Sequence, residues 1–441
     1  MGAQFRVALL ALAVGAAALV PAPAGAGGGD LDAGFGEAGK AVVTPPPEAG
    51  EIAAAHAVLP DGSVLVAGTA APARSGYAFL VLRVRPDGHL DPGFGTGGRV
   101  WTDLVTVGWP VLDGEVAGGV VSLGTSAAYA VAVQPDGRII LAGTTASGTS
   151  TAFALVRYLP DGHLDDSFGA GGLVVTDFDS TTDDVASALV LLPGGRIVAA
   201  GRAGDRFALA RYLPDGQLDP SFGTSGLAVT GQGLVAGLAA ALDAAGRVVV
   251  AGQGGEPGGP YDLAVARYLP DGNLDRAFGQ RGTIRTDLGP SGEWLSSLAL
   301  QPDGGIVVAG TSGSSFALLR YLADGRPDPG FGAAGVVTAG PAIGSARAVV
   351  LDPAGRLMVA GERLVVDSQR QVAVARYSPA GTLDAAFAPG GMIGTDVLPD
   401  RHDGSWAATA LPAGGLVVTG TSLDQNNSFP LVFLLRYAPV P

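Results

Sequence analysis

An aromatic mark that returns seven times along the chain constrains its fold more than any other feature. The phenylalanine of an (L/P)-D-x-x-F motif falls at Phe35, Phe94, Phe168, Phe222, Phe278, Phe331 and Phe387, at intervals of 59, 74, 54, 56, 53 and 56 residues. The period is about 55 with one insertion, the signature of a repeat architecture rather than of two or three unrelated domains. Two further motifs keep step with it. One is a Pro-Asp-Gly turn leading into an apolar run that ends Ala-Gly, as in LPDGSVLVAG from Leu59. The other is a short apolar run closing on arginine, usually Arg-Tyr, as in FALVRY and FALARY.

Every apolar run has four to eight residues, is rich in Val, Leu and Ile, and is bounded by Gly or Pro-Asp-Gly. Runs this short and this often interrupted are strands. Each unit holds four: FGxxGxVVT, SALVLLP, RIVAAG and FALARY in the third. Four strands repeated seven times without a helical segment predict an all-β chain, a seven-bladed β-propeller of four-stranded blades. A right-handed β-solenoid is the structural alternative, though its coils are normally shorter.

Gly and Pro number 71 and 31. Because they recur with the period they read as turns, not as disorder. The net charge of −14 excludes nucleic acid and anionic membrane surfaces as partners, since both require a basic footprint. Cysteine is absent, so there is no disulfide framework, thiolate metal site or cysteine nucleophile. Arg6, the apolar run Val7–Val20 and the Ala24-x-Ala26 pattern predict a signal peptide over 1–26 and a secreted, extracellular protein. An uncleaved anchor is the alternative, with a run short for a membrane span. Residues 27–441 then form a single propeller, with no membrane insertion after cleavage, and with an insertion at about 103–126 expected to form an extra hairpin or flap.

At these motifs the chain resembles the bacterial delta-60 repeat family, whose pattern is LDxxFGxxG…PDG…G…RYxPDG. The resemblance runs from Leu31 to about Pro439. It implies a propeller-like fold and an exported setting, and it brings no ligand. Ala323, Ala380 and Gly194 depart from the pattern where Pro or Asp is expected in turns, as does Pro327.

In Arg157-Tyr-Leu-Pro-Asp-Gly-His-Leu-Asp165, Pro160, Asp161 and Gly162 suit a three-residue hairpin loop with a glycine bulge. Folding about Asp161 sets Arg157 opposite Asp165, where opposite charges are favourable. The same spacing gives Arg83–Asp91, Arg211–Asp219, Arg267–Asp275, Arg320–Asp328 and Arg376–Asp384. We read these as structural ion pairs that fix hairpin register, against the alternative of repeated anion or metal sites. Each phenylalanine, three residues beyond its aspartate, reads as an inter-blade plug. Arg436 has no aspartate and Asp32 no arginine at that spacing, so the two are expected to pair. The N-terminal strand, around Phe35 to Thr44, then completes the last blade and leaves no open edge.

Both tight turns of each blade fall on one face of the ring, and the longer, dissimilar loops gather on the other. On that loop face Trp109, Trp294 and Trp406 are expected in the loops that join one unit to the next or just before the inner strand, with Trp101 nearby. They are candidates for stacking on sugar rings, or else caps on blade edges. The FGxxGxVVT strand, expected to be the outer one of its unit, ends in Thr-Asp at Asp103, Asp177, Asp287 and Asp396. These aspartates are expected either to approach the axis and attract a cation or to bond locally to loop backbone.

Catalytic constellations are poor: the chain carries no HExxH, GxSxG, Walker loop or Rossmann fingerprint in the context each requires. Of four histidines, His89 and His163 follow exposed turns. The pair Asp183–Asp184 reads as a loop without the apolar surroundings that raise a carboxyl pKa. The residues therefore predict an exported, monomeric, non-catalytic binding or scaffold propeller, without cofactor or metal, for an extracellular glycan or protein. The competing reading is a hydrolase or lyase acting on polysaccharide through acidic residues of the loop face.

Overall fold

The computed structural model describes residues 29–47, 49–72, 76–104, 126–147, 149–231, 233–255, 260–289, 292–313, 315–338, 344–365, 369–424 and 430–439. The expected leader, most of the insertion and Trp109 lie outside them. The described residues form seven four-stranded antiparallel sheets, the blades of a seven-bladed β-propeller. We letter the strands a to d from the axis outward. The inner strands are Ala49–Val58, Ala127–Val133, Asp184–Leu191, Leu234–Leu242, Glu293–Leu300, Ser345–Leu351 and His402–Ala410. Each touches the inner strand of the next blade, and the last touches the first, so the ring is closed.

The strands read as continuous apolar runs because blades stack face to face. In Phe207–Tyr212 all six residues are buried. Seven hydrophobic clusters fill the seven gaps between blades. One joins Leu65 and Phe79 of blade 1 to Leu141 and Tyr158 of blade 2, and another joins Val66 of blade 1 to Val417 and Leu434 of blade 7. The core is therefore distributed around the ring rather than central.

Two glycine motifs follow from close approach. In six inner strands the register slips by one residue, as between Ala186 and Ala188, and blade 4 slips twice. A β-bulge of this kind pushes inner-strand backbone toward strand b. A Cβ at Gly201, the glycine of the Ala-Gly motif, would lie 1.9 Å from the Val185 carbonyl oxygen. Gly216, in the Pro-Asp-Gly turn, has φ +91°, and its Cβ would press on Val174 and on Phe168 of the preceding blade. Both positions exclude a side chain on steric grounds, the second on φ as well.

Blade 7 is composite: its outer strand is Lys40–Val43, paired with Leu431–Tyr437. Lys40 stands opposite Leu435 and Val43 opposite Val432, the register that Leu173 and Thr176 keep with Val156 and Phe153 in blade 2. The strand is shorter than the Phe35–Thr44 span of the sequence reading because Phe35 to Gly39 form a turn. Closure also recruits His56, whose Nδ1 and Nε2 lie 2.7 and 2.8 Å from the hydroxyls of Thr419 and Thr409 in blade 7.

Candidate functional site

On the tight-turn face the hairpins take the expected form. Leu159 N–H donates to His163 O, Asp165 N–H to Arg157 O, and Tyr158 bridges Leu164. Arg157 lies 2.8 Å from Asp165. The other pairs stand at 3.2 Å (Arg83–Asp91), 3.0 Å (Arg211–Asp219), 2.8 Å (Arg267–Asp275), 2.7 Å (Arg376–Asp384) and 3.0 Å (Arg436–Asp32), and Arg320 contacts Asp328.

Each arginine does more than fix its own hairpin. Arg157 donates a second hydrogen bond to the Pro214 carbonyl of the next blade's turn, and Arg211 and Arg267 do likewise to Pro270 and Ala323. The guanidinium carbons of Arg157, Arg211 and Arg267 lie 4.4, 4.7 and 4.4 Å from the ring centres of Phe168, Phe222 and Phe278. The buried phenylalanine is thus roofed by its own arginine and by the next blade's glycine. Hydrogen bonds, ion pair and ring contact together occupy the guanidinium.

A second inter-blade bond was not legible in the repeat. The tyrosine after the arginine reaches back to the strand-d threonine of the preceding blade: Tyr158 to Thr102 at 2.6 Å, Tyr212 to Thr176 at 2.8 Å, Tyr268 to Thr230 at 2.9 Å, Tyr321 to Thr286 at 2.7 Å and Tyr437 to Thr395 at 2.8 Å. Burial holds the tyrosine hydroxyls above their ordinary pKa, to about 12 at Tyr321, so they remain neutral partners.

On the loop face the structure rearranges the sequence-derived candidates. Trp294 and Trp406 are not loop residues; both sit within inner strands. Trp406 occupies the bulge of its strand, 5.2 Å beneath the Arg347 guanidinium, with its indole N–H on Thr421. Trp101 donates its indole N–H to Glu51 at 3.1 Å. Trp294 is 42% exposed and stands edge-on to Tyr261, ring centres 5.6 Å apart. The aspartates that end strand d do not gather at the axis, because strand d is the outermost strand of each blade. Asp177, Asp287 and Asp396 occupy three separate blade junctions.

The acids that sequence reasoning missed head the inner strands. Glu51, Asp184, Glu293 and Asp403 are all 0% exposed. Asp184 corrects the loop reading of Asp183–Asp184: it begins an inner strand, and burial raises its pKa. Burial raises Glu51 and Glu293 as well, and pushes Asp403 up to about 6. Asp184 accepts the Phe178 amide at 2.8 Å and Asp403 the Val397 amide at 2.7 Å, each from the residue following a Thr-Asp. The available signal was an acid placed directly ahead of an inner apolar run, as in DDVASALVL and GEWLSSLAL.

At the junction of blades 4 and 5 these features meet. Asp262 begins strand c of blade 4, Asp287 follows strand d, and Glu293 begins the inner strand of blade 5. One oxygen from each lies within 4.8 Å of the others, and Trp294 and Tyr261 are their chain neighbours. Arg285 binds Asp262 at 2.6 Å, and Ser312 donates to Glu293 at 3.2 Å. The site therefore couples an exposed aromatic plate to a group of hydrogen-bond acceptors.

A ring of seven stacked four-stranded repeats defines the class: this chain is a β-propeller repeat protein. More particularly, six of its segments, residues 59–94, 134–168, 192–222, 246–278, 301–331 and 353–387, match the family described as a domain of unknown function (DUF5122) beta-propeller. No curated protein matches the chain. Among solved structures, the polysaccharide lyase Uly1 is similar at 12% identity and a TM-score of 0.51, covering 88% of this chain and 90% of that one. A virginiamycin B lyase from Staphylococcus aureus covers 90% and 98% at 10% identity and a TM-score of 0.47. A PQQ-bound aldose sugar dehydrogenase from Streptomyces coelicolor covers 77% and 98% at 16% identity and a TM-score of 0.40. At such identities the likeness is one of fold.

Proposed function

We propose that the chain is an exported, non-catalytic binding or scaffold propeller of the delta-60 repeat kind, acting as a monomer on an extracellular glycan or protein, and that of the two a glycan suits the loop face better. The observation that carries the reading is Trp294, 42% exposed and braced by Tyr261 beside the carboxylates of Asp262, Asp287 and Glu293. A braced indole presents a rigid apolar plate to a sugar face, and neighbouring carboxylates accept from ring hydroxyls. Of the remaining acids near the heads of inner strands, Asp184 and Asp403 are buried and bonded to their own loops, and Glu51 is buried and bonded to Arg99 and Trp101 of its own blade, which supports binding over acid–base catalysis.

A glycan array probed with the full mature chain tests this. Binding to a restricted set of oligosaccharides is expected, with at least tenfold loss in Trp294→Ala and little change in Trp101→Ala. No signal on the array would overturn the glycan reading. Cleavage of the bound oligosaccharides would move the chain to the polysaccharide hydrolase or lyase reading.

A further inference from the structure

The junction of blades 4 and 5 differs from its siblings in one respect. In blades 2 and 6 the strand-c position in register with Asp262 is held by Ala152 and Gln371, as the pairings of Thr176 with Phe153, Thr286 with Leu263 and Thr395 with Val372 show. Among the described residues of these three junctions, a third carboxylate therefore enters only where Asp287 and Glu293 already meet. An oxygen-ligated cation of calcium's size holds its ligands at about 2.3–2.6 Å, so opposed ligands stand roughly 5 Å apart. The three carboxylate oxygens, within 4.8 Å of one another, have the spacing of one coordination sphere.

A second observation is independent of the clustering. Glu293 is fully buried, Ser312 donates to its Oε1, and its Oε2 has no hydrogen-bond partner. An unpartnered carboxylate oxygen inside a protein is costly unless something positive meets it. Arg285 is bound to Asp262 through Nε and Nη2. Asp287 is exposed and opens the group to solvent.

We infer that Asp262, Asp287 and Glu293 bind a hard divalent cation of the calcium class. The donor set is all carboxylate, with neither histidine nor thiolate to favour zinc or copper. Ligands drawn from two strands and a loop suit calcium's tolerance of irregular geometry better than magnesium's octahedral demand. The inference shares these carboxylates with the glycan reading but does not rest on it, because the cation is bound by protein groups alone.

Calorimetric titration of calcium chloride into the chelator-stripped full chain, with no glycan present, tests it alongside melting with and without calcium. One equivalent of calcium should bind and raise the melting temperature. Asp262→Asn and Glu293→Gln should each weaken binding at least tenfold, and Asp184→Asn, at a sibling junction, should leave it unchanged. Asp287→Asn, an exposed change, serves if the buried variants fail to fold. The inference is overturned if the parent chain gives neither heat nor a melting shift at millimolar calcium, or if Asp287→Asn and Glu293→Gln retain full affinity.

Discussion

Arg436 and Asp32, at opposite ends of the chain, make the same contact that Arg157 and Asp165 make across a tight turn. Their Nε–Oδ2 distance is 3.0 Å, Asp32 N–H donates to Arg436 O, and Arg436 N–H donates to Gly39 O. Blade 7 thus reproduces the hairpin of the other blades without a covalent turn, so its outer strand is held by non-covalent contacts alone.

That relationship orders a set of truncations and substitutions. Removing residues 27–44 deletes strand d of blade 7 and the plug Phe35, and it should abolish cooperative folding. Arg157→Ala removes a guanidinium that is 4% exposed but leaves Asp165 paired with Arg138 at 2.9 Å, and should cost about 1–3 kcal/mol, less than a fully stranded buried charge. Arg436→Ala should cost less, because its side chain is 29% exposed. Urea unfolding of the three proteins ranks them, and a stable, cooperative truncation would show that the ring closes without its N-terminal strand.

His56 should make the seam between blades 7 and 1 sensitive to acid. Burial lowers its pKa from 6.5 to about 3. The folded chain therefore resists a proton that the unfolded chain accepts below 6.5. The stability that depends on neutral His56 is present above pH 6.5 and is lost as pH falls toward 3, by about 1.4 kcal/mol per unit. Asp403 acts in the opposite sense: its pKa is raised to about 6, so its protonation stabilises the fold as pH drops below that value. Comparing the parent with His56→Gln isolates the histidine. From pH 6.5 to 5 the parent should lose about 2 kcal/mol more than the variant, and parallel melting curves would count against the assignment.

The tyrosine–threonine bonds predict a position-dependent response to one chemical change. Tyr212→Phe removes a hydroxyl bonded to Thr176 and should cost about 1 kcal/mol. Tyr377 is equally buried, but its hydroxyl has no threonine partner among the described residues, so Tyr377→Phe should be nearly neutral. Equal losses in the two variants, measured by chemical denaturation, would mean that the hydroxyl bond is not what strand c contributes to the blade interface.

Blade number, strand count and the pairing of Arg436 with Asp32 are legible in the chain because they follow from local rules repeated seven times. Pro-Asp-Gly sets a turn whatever surrounds it, and an eight-residue spacing about that turn places a charge opposite its partner. A missing partner at each end then states how the ring closes. The register bulge is different: nothing in SALVLLP announces it, and its glycine in strand b becomes intelligible only once two strands are seen to approach. The candidate residues of the loop face are less legible still. Asp184 reads as a loop acid and Glu293 does not stand out, because sequence does not say which segments the next blade covers. Burial, and with it the raised pKa and the orphaned oxygen of Glu293, is produced by stacking one blade on another. The meeting of Asp262, Asp287, Glu293 and Trp294 likewise depends on where three strands of two blades end in space. Local periodicity determined the ring, while long-range packing alone decided which of its acids and aromatics stand together.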